Sequence, residues 1–193
     1  VFHHIPIFSF SIFSKITLHF AENAFRLACF LKYTLAWAWH AFMKIHLLAV
    51  GRAKSSPETH LFDQYIKRLS WPFQLHEVEE KKPLPPEKLK DKEAALLLQA
   101  CPKGAVLIAL DERGKTMSSP DFAALIGGMQ GETQTLAFAI GGAHGHGQAL
   151  RQQARHIISF GKMTFPHMLV RTLVAEQIYR AKTILDGHPY HKI

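Results

Sequence analysis

Four segments of this 193-residue chain carry residue types that do chemistry. The first is Phe160 to Pro166, FGKMTFP. Its mix of small, apolar and single basic residues suits an aromatic ring held by backbone hydrogen bonds between apolar walls; the plainer alternative is a tight turn before a helix. The second is Ile140 to Gly147, IGGAHGHG. Paired glycines after an apolar run let the backbone approach a ligand and present its amides. The spacing is not GxGxxG opening a helix, so a dinucleotide crossover is unsupported. His144 and His146 supply at most half of a tetrahedral shell, with no cysteine or acid beside them, so no metal site is expected. The third is Leu110 to Ala123, LDERGKTMSSPDFA, a strand-end aspartate and a polar turn that either holds a ligand or is simply solvated. The fourth is the terminal HPYHKI, His188 to Ile193. Tyrosine, two histidines and a lysine suit stacking on an unpaired RNA base, against the ordinary expectation of a frayed end.

Between Pro166 and the tail lies a long amphipathic stretch, His167 to Leu185, with a wide apolar stripe. It carries Arg171, Glu176 and Arg180. Glu176 and Arg180 are four apart and are expected to pair, for about 0.3 kcal/mol. Arg171 has no comparable partner in the sequence, which makes it the arginine expected to meet a substrate phosphate or a developing anion.

The elements that position these segments alternate. Met43 to Gly51 reads as a buried strand. Ser56-Pro57 is a helix cap with proline at the first helical position, and the helix runs to Leu69. Trp71 to Glu79 alternates loosely as a strand. Lys81 to Glu87, KKPLPPE, is a loop, and Glu87 to Ala100 a helix. Ala105 to Leu110 is a continuous apolar run suited to a strand covered on both faces. Asp111 to Ser118 reads as a polar loop. Ser119-Pro120 repeats the capping signal, and Gly127-Gly128 weakens the helix that follows. Thr135 to Ile140 is a strand, Gln148 to Arg155 a short helix, and His156 to Phe160 a last strand. This order predicts an α/β fold on a mostly parallel sheet with helices on both faces. Ligands in such folds bind at the carboxyl ends of strands, where the loops after Leu110, Ile140 and Phe160 lie.

The chain is basic, with a net charge of +8, which favours a polyanionic partner such as nucleic acid. Cys29 and Cys101 form no CxxC or metal spacing, as expected of a protein from the reducing cytoplasm. Residues 1–42 differ from the rest. They hold eight of the fourteen phenylalanines and carry only Lys15, Glu22, Arg26 and Lys32 as charged residues. Their longest uncharged run, Val1 to Ser14, is shorter than the roughly 20 residues a spanning helix requires, and the basic start of a signal peptide is missing. Residues 1–42 are therefore read as an N-terminal extension upstream of a natural start at Met43, with 43–193 as the working domain and no membrane partner.

Together, MKIHLLAVG, LIALDERGKTMSSPDFA, LAFAIGGAHG, SFGKMTFPHMLVRTLVAEQIYRA and HPYHK resemble the bacterial large-subunit ribosomal RNA pseudouridine-N3 methyltransferases, the RlmH type of the SPOUT class. The resemblance spans Met43 to Ile193; residues 1–42 have no counterpart. It implies a C-terminal deep trefoil knot, a homodimer, and a methyl donor, S-adenosylmethionine, in the knot loops. It also implies a cytoplasmic enzyme that methylates N3 of a pseudouridine in a loop of 23S rRNA in the assembled ribosome. The family's donor positions map onto Leu110, Gly141, Phe160, Gly161, Lys162, Met163, Thr164 and Phe165. Because the N3 imide must lose a proton, Arg171 is expected to steady an anion and Tyr190 and His191 to place the base. His191 is the expected proton acceptor, since an imidazole titrates near neutrality. No metal enters this chemistry. In a dimer the tail serves either its own pocket or its partner's.

Overall fold

Period-two alternation in three apolar strands builds the molecule. In the computed structural model, which describes residues 43–191, β1 (Lys44–Val50), β2 (Phe73–Val78), β3 (Val106–Thr116), β4 (Thr135–Ile140) and β5 (His156–Ser159) form one sheet. Their order is β2-β1-β4-β3-β5, and every neighbouring pair is parallel. Ile45, Leu47, Ala49, Ile108, Leu110, Leu136, Phe138 and Ile140 face one core. The intervening Leu48, Val50, Leu107, Ala109, Ala137 and Ala139 face a second. A parallel sheet needs cover on both faces, and both faces have it.

The bulkier face is covered by α1 (Pro57–Arg68), α3 (Ser119–Met129) and α5 (His167–Leu185), which contribute Phe62, Phe122, Ile126, Val174 and Ile178. The alanine-rich face holds less side-chain volume. It takes α2 (Pro86–Ala100) and α4 (Gln148–Gln153) through Ala94, Leu97 and Leu150. Burying each such leucine or phenylalanine stabilises the fold by about 1.5–3 kcal/mol. β2 alternates only loosely because it is an edge strand, half-exposed along its length. The extension at residues 1–42 lies outside the described residues, as do Lys192 and Ile193.

Two expectations need correction. The segment after Leu110 is not a free loop: β3 continues to Thr116. Leu110 and Lys115 both register with Ile158 of β5, so residues 111–114 bulge out and the strand resumes. Gly114 makes this possible. A Cβ there would lie 2.6 Å from the Ile158 carbonyl carbon, closer than any side chain tolerates. The polar residues hid the strand, because they face the site rather than a core. The helix after it is capped by Ser118, not Ser119. The Ser118 hydroxyl accepts from the Asp121 N–H at 3.2 Å, and Asp121 reaches back to the Ser118 N–H, a capping box. Ser119 instead donates to Gln177 on α5 at 2.8 Å. The helix ends at Met129, one residue past the Gly127-Gly128 pair. Gly127 sits inside it because a Cβ would meet Leu185 of α5 at 2.8 Å.

Candidate active site

β4, β3 and β5 are consecutive in the sheet, so the loops leaving their carboxyl ends are neighbours. They enclose a cleft of about 530 Å³ walled by residues 110–113, 140–145, 158–161 and 163–167, with Val170 of α5. Leu110, Gly141, Phe160, Gly161, Met163, Thr164 and Phe165 all stand on that wall; Lys162 does not. Met163 is 73% exposed at the rim.

Each loop is held by identifiable bonds. Ser159 ties the third to the first: its hydroxyl donates to the carbonyls of Glu112 (3.2 Å) and Gly161 (2.7 Å) and accepts from the Gly161 N–H (3.0 Å). Thr164 adds a hydroxyl bond to the Glu112 carboxylate at 3.1 Å. Gly161 has φ 143, a conformation few other residues adopt. In the glycine loop the Gly145 N–H donates to the Gly142 carbonyl at 3.0 Å. His146 is 4% exposed, and its Nε2–H donates to the Leu110 carbonyl at 2.9 Å. It thereby ties the glycine loop to the end of β3. Burial holds its pKa below the ordinary imidazole value, and Nδ1 has no partner among the described residues. His146 is therefore a strut between the two loops. Among the described residues no group of three or more His, Cys, Asp or Glu side chains is placed to hold a metal.

Asp111 is the acid of the first loop. Burial alone would raise its pKa, but the Arg113 N–H at 2.9 Å, the Arg113 side chain and the Arg151 ion pair outweigh it and hold the carboxyl below the ordinary value. It stays an anion that braces the bulge. Glu93 of α2 is a second buried carboxylate, set directly behind Gly142.

The expected catalytic arginine is elsewhere. Arg171 is 2% exposed. Nη1 donates to Glu77 at 2.5 Å, and Nη2 to the carbonyls of Val50 (3.1 Å) and Gly51 (2.6 Å). The expectation that it lacks a partner is corrected: both Nη groups bolt α5 to the ends of β1 and β2, while its buried Nε has no hydrogen-bond partner among the described residues. Sequence spacing could not reveal partners about a hundred residues away.

Tyr190 and His191 gather on a different arginine. The chain turns back after α5 through Gly187 (φ 67), with the His188 N–H bonded to the Thr183 carbonyl at 2.8 Å. The Tyr190 hydroxyl then donates to Glu176 at 3.2 Å, and its ring lies 4.9 Å from the Arg180 guanidinium carbon and edge-on to Tyr179. Arg180 Nη1 and His191 Nδ1 are 3.3 Å apart. A guanidinium only donates, so Nδ1 is the acceptor. Burial, a bond with Tyr65 and the Glu176 charge push the Tyr190 phenol up to about 12. Sequence reasoning paired Arg180 with Glu176, and that pair is present, but it did not bring the tail onto the same arginine. The available signal was Gly187, a helix-ending glycine that returns the tail to the face carrying residues 176, 179, 180 and 183.

The cleft and the tail cluster share α5 but no wall residue. Glu176 lies nine positions beyond His167, about 13 Å along a helix.

A family model described as "Predicted SPOUT methyltransferase" matches residues 43–191. Curated relatives include three proteins called "Ribosomal RNA large subunit methyltransferase H". The one from Paramagnetospirillum magneticum is 53% identical over 151 residues, covering 78% of this chain and 99% of its own. That from Rhodospirillum centenum is 50% identical over 151 residues, with the same coverage. That from Ruegeria sp. is 47% identical over 160 residues, covering 78% of this chain and all of its own.

Proposed function

The chain belongs to the SPOUT methyltransferase family, and from that premise we propose that it methylates N3 of a pseudouridine in a loop of 23S rRNA, using S-adenosylmethionine. The relatives' names supply the RNA class, and the net charge of +8 suits a phosphate-rich partner. The assembled ribosome is the proposed substrate, which places the protein in the cytoplasm. Among the described residues no helix is long and apolar enough to cross a membrane.

The observation that carries the reading is the glycine-lined cleft over β4, β3 and β5. Gly141 lets this loop fold tightly at the cleft wall: a Cβ there would fall 2.9 Å from the Gly145 carbonyl oxygen. Leu110, Gly141, Phe160, Gly161, Met163, Thr164 and Phe165 would hold the donor's adenosine part between apolar walls. Bound there, the donor supplies an electrophilic methyl carbon on a sulfonium. The trefoil knot belongs to the same reading. Its support is the family match over residues 43–191.

The protein's remaining task concerns the acceptor nitrogen, an imide N–H that must lose its proton as it attacks. In the tail cluster His191 Nδ1 accepts from Arg180. A base carbonyl that takes up that guanidinium N–H frees Nδ1 to accept the N3 proton. Arg180 then stabilises the charge that develops on the carbonyl oxygen. Tyr190, with its phenol pushed up to about 12, stays protonated and orients the base as a donor. These roles need the tail at the cleft, about 13 Å away along α5 of its own chain. A homodimer in which the tail of one copy closes the cleft of the other meets that need.

The test is transfer of labelled methyl from S-adenosylmethionine by the purified protein to intact ribosomes, free 23S rRNA and transfer RNA. The reading expects one labelled pseudouridine N3 in 23S rRNA, with ribosomes the preferred substrate. Label on transfer RNA alone, or none on any RNA, would overturn it.

A further inference from the structure

Behind the glycine loop lies a charge that the methyl-transfer reading does not use. Glu93 of α2 is 8% exposed. Its Oε2 is fully buried and has no hydrogen-bond partner among the described residues, and none of their ion pairs includes it. The carboxylate points at the cleft from behind: Oε2 and Oε1 lie 2.6 and 3.0 Å from where a Cβ on Gly142 would sit. Gly142 is itself a wall residue, so only a glycine backbone separates the carboxylate from the cleft. The far end of the same loop rests on the same helix. A Cβ on Gly147 would meet Ala94, Asp91 and the Lys90 carbonyl, each at 3.0 Å.

A buried carboxylate without a counter-ion is costly, and proteins place such groups where a cation arrives. We propose that Glu93 sets the charge selectivity of the cleft, favouring the cationic sulfonium donor over the neutral thioether left after transfer. Methyl transfer moves the methyl carbon from sulfur to the acceptor nitrogen and leaves the S–CH3 bonding pair on sulfur. The sulfur thus loses its positive charge, and the carboxylate loses the cation that compensated it. Glu93 therefore favours donor entry and product exit. The inference rests on the methyl-donor reading of the cleft. Burial raises the Glu93 carboxyl above its ordinary value, with a smaller opposing influence from His144, as expected of a site that lacks its cation. For unit charges roughly 10 Å apart at an effective dielectric of about 20, the preference is about tenfold.

The experiment is calorimetric titration of the full-length protein with S-adenosylmethionine and with S-adenosylhomocysteine, for wild type, Glu93→Gln and Glu93→Asp, with melting curves for each. Wild type is expected to bind the sulfonium about tenfold more tightly. Glu93→Gln should keep its thioether affinity and lose the preference, and without ligand it should melt no lower than wild type. Glu93→Asp keeps the charge and most of the preference, and it preserves the test should the glutamine variant fail to fold. Equal loss of both ligands in Glu93→Gln, or an unchanged ratio, would overturn the inference alone. A wild type that binds neither ligand would overturn the methyl-donor reading together with it.

Discussion

Replacing Arg171 by methionine separates an anchor from a catalyst. Its guanidinium gives one bond to Glu77 and two to carbonyls at the ends of β1 and β2. Methionine fills similar volume but leaves those acceptors short of a donor. Breaking a fully buried pair costs about 3–5 kcal/mol. Glu77 is 27% exposed and keeps its bond from the Ala53 N–H, so the lower end, about 3 kcal/mol, is the expected loss at neutral pH. The pH dependence has a defined sign. Burial opposes ionisation of Glu77, but the Ala53 N–H, Arg171 and Arg52 together outweigh it and depress its pKa. A depressed carboxylate contributes stability that is present above its unfolded value and lost as pH falls through the folded one. The gap between wild type and Arg171→Met should therefore be full at pH 7 and shrink below the ordinary value of 4.5. Urea denaturation followed by circular dichroism at pH 7 and in acid measures both numbers. Methyl transfer assayed well below the variant's melting temperature should stay within a fewfold of wild type. A variant that is fully stable but catalytically dead would refute the reasoning and return Arg171 to the chemistry.

Other perturbations follow from the same geometry. His191→Ala and Arg180→Lys should each lower the single-turnover methylation rate on ribosomes by about 10²–10⁴, the range for a lost acid–base group or oxyanion donor, with S-adenosylmethionine affinity by calorimetry unchanged. Gly142→Ala puts a methyl 2.6 Å from Glu93 Oε2, so donor affinity should fall at least about fivefold, as expected of overpacking worth about 1–3 kcal/mol. His146→Leu removes the bond to Leu110. Burial keeps the folded-state pKa of His146 below 6.5. Wild type therefore loses stability as pH falls below 6.5, because only the unfolded chain gains the proton. The leucine variant should show a shallower decline in melting temperature over that window.

Most of the fold was legible because most of its strands are apolar runs and two of its helices carry serine-proline signals at their starts. Thr135–Ile140 and His167–Leu185 have the bounds that their patterns predict. The second half of β3 was illegible because Asp111 to Lys115 is polar, and its strand character comes from β5 alone. The glycines of the cleft were legible as points of close approach or unusual backbone, and both occur: Gly141 and Gly142 have no room for a Cβ, whereas Gly145 and Gly161 have positive φ. The Glu176–Arg180 pair was legible, whereas the partners of Arg171 were not, and for one reason. Local spacing shows a partner four residues away but not Glu77, which the fold brings from 94 residues away. Glu93 was invisible for the same reason: in a charged helix it looks like any solvated acid.

The central claim joins the cleft of one copy to the tail of another. Coexpressing a cleft-damaged chain, Gly142→Val, with a tail-damaged chain, His191→Ala, measures it directly. Random pairing gives half heterodimers, each with one intact site, so methylation of ribosomes should recover to about a quarter of wild type. Activity no higher than that of either variant alone would contradict the account.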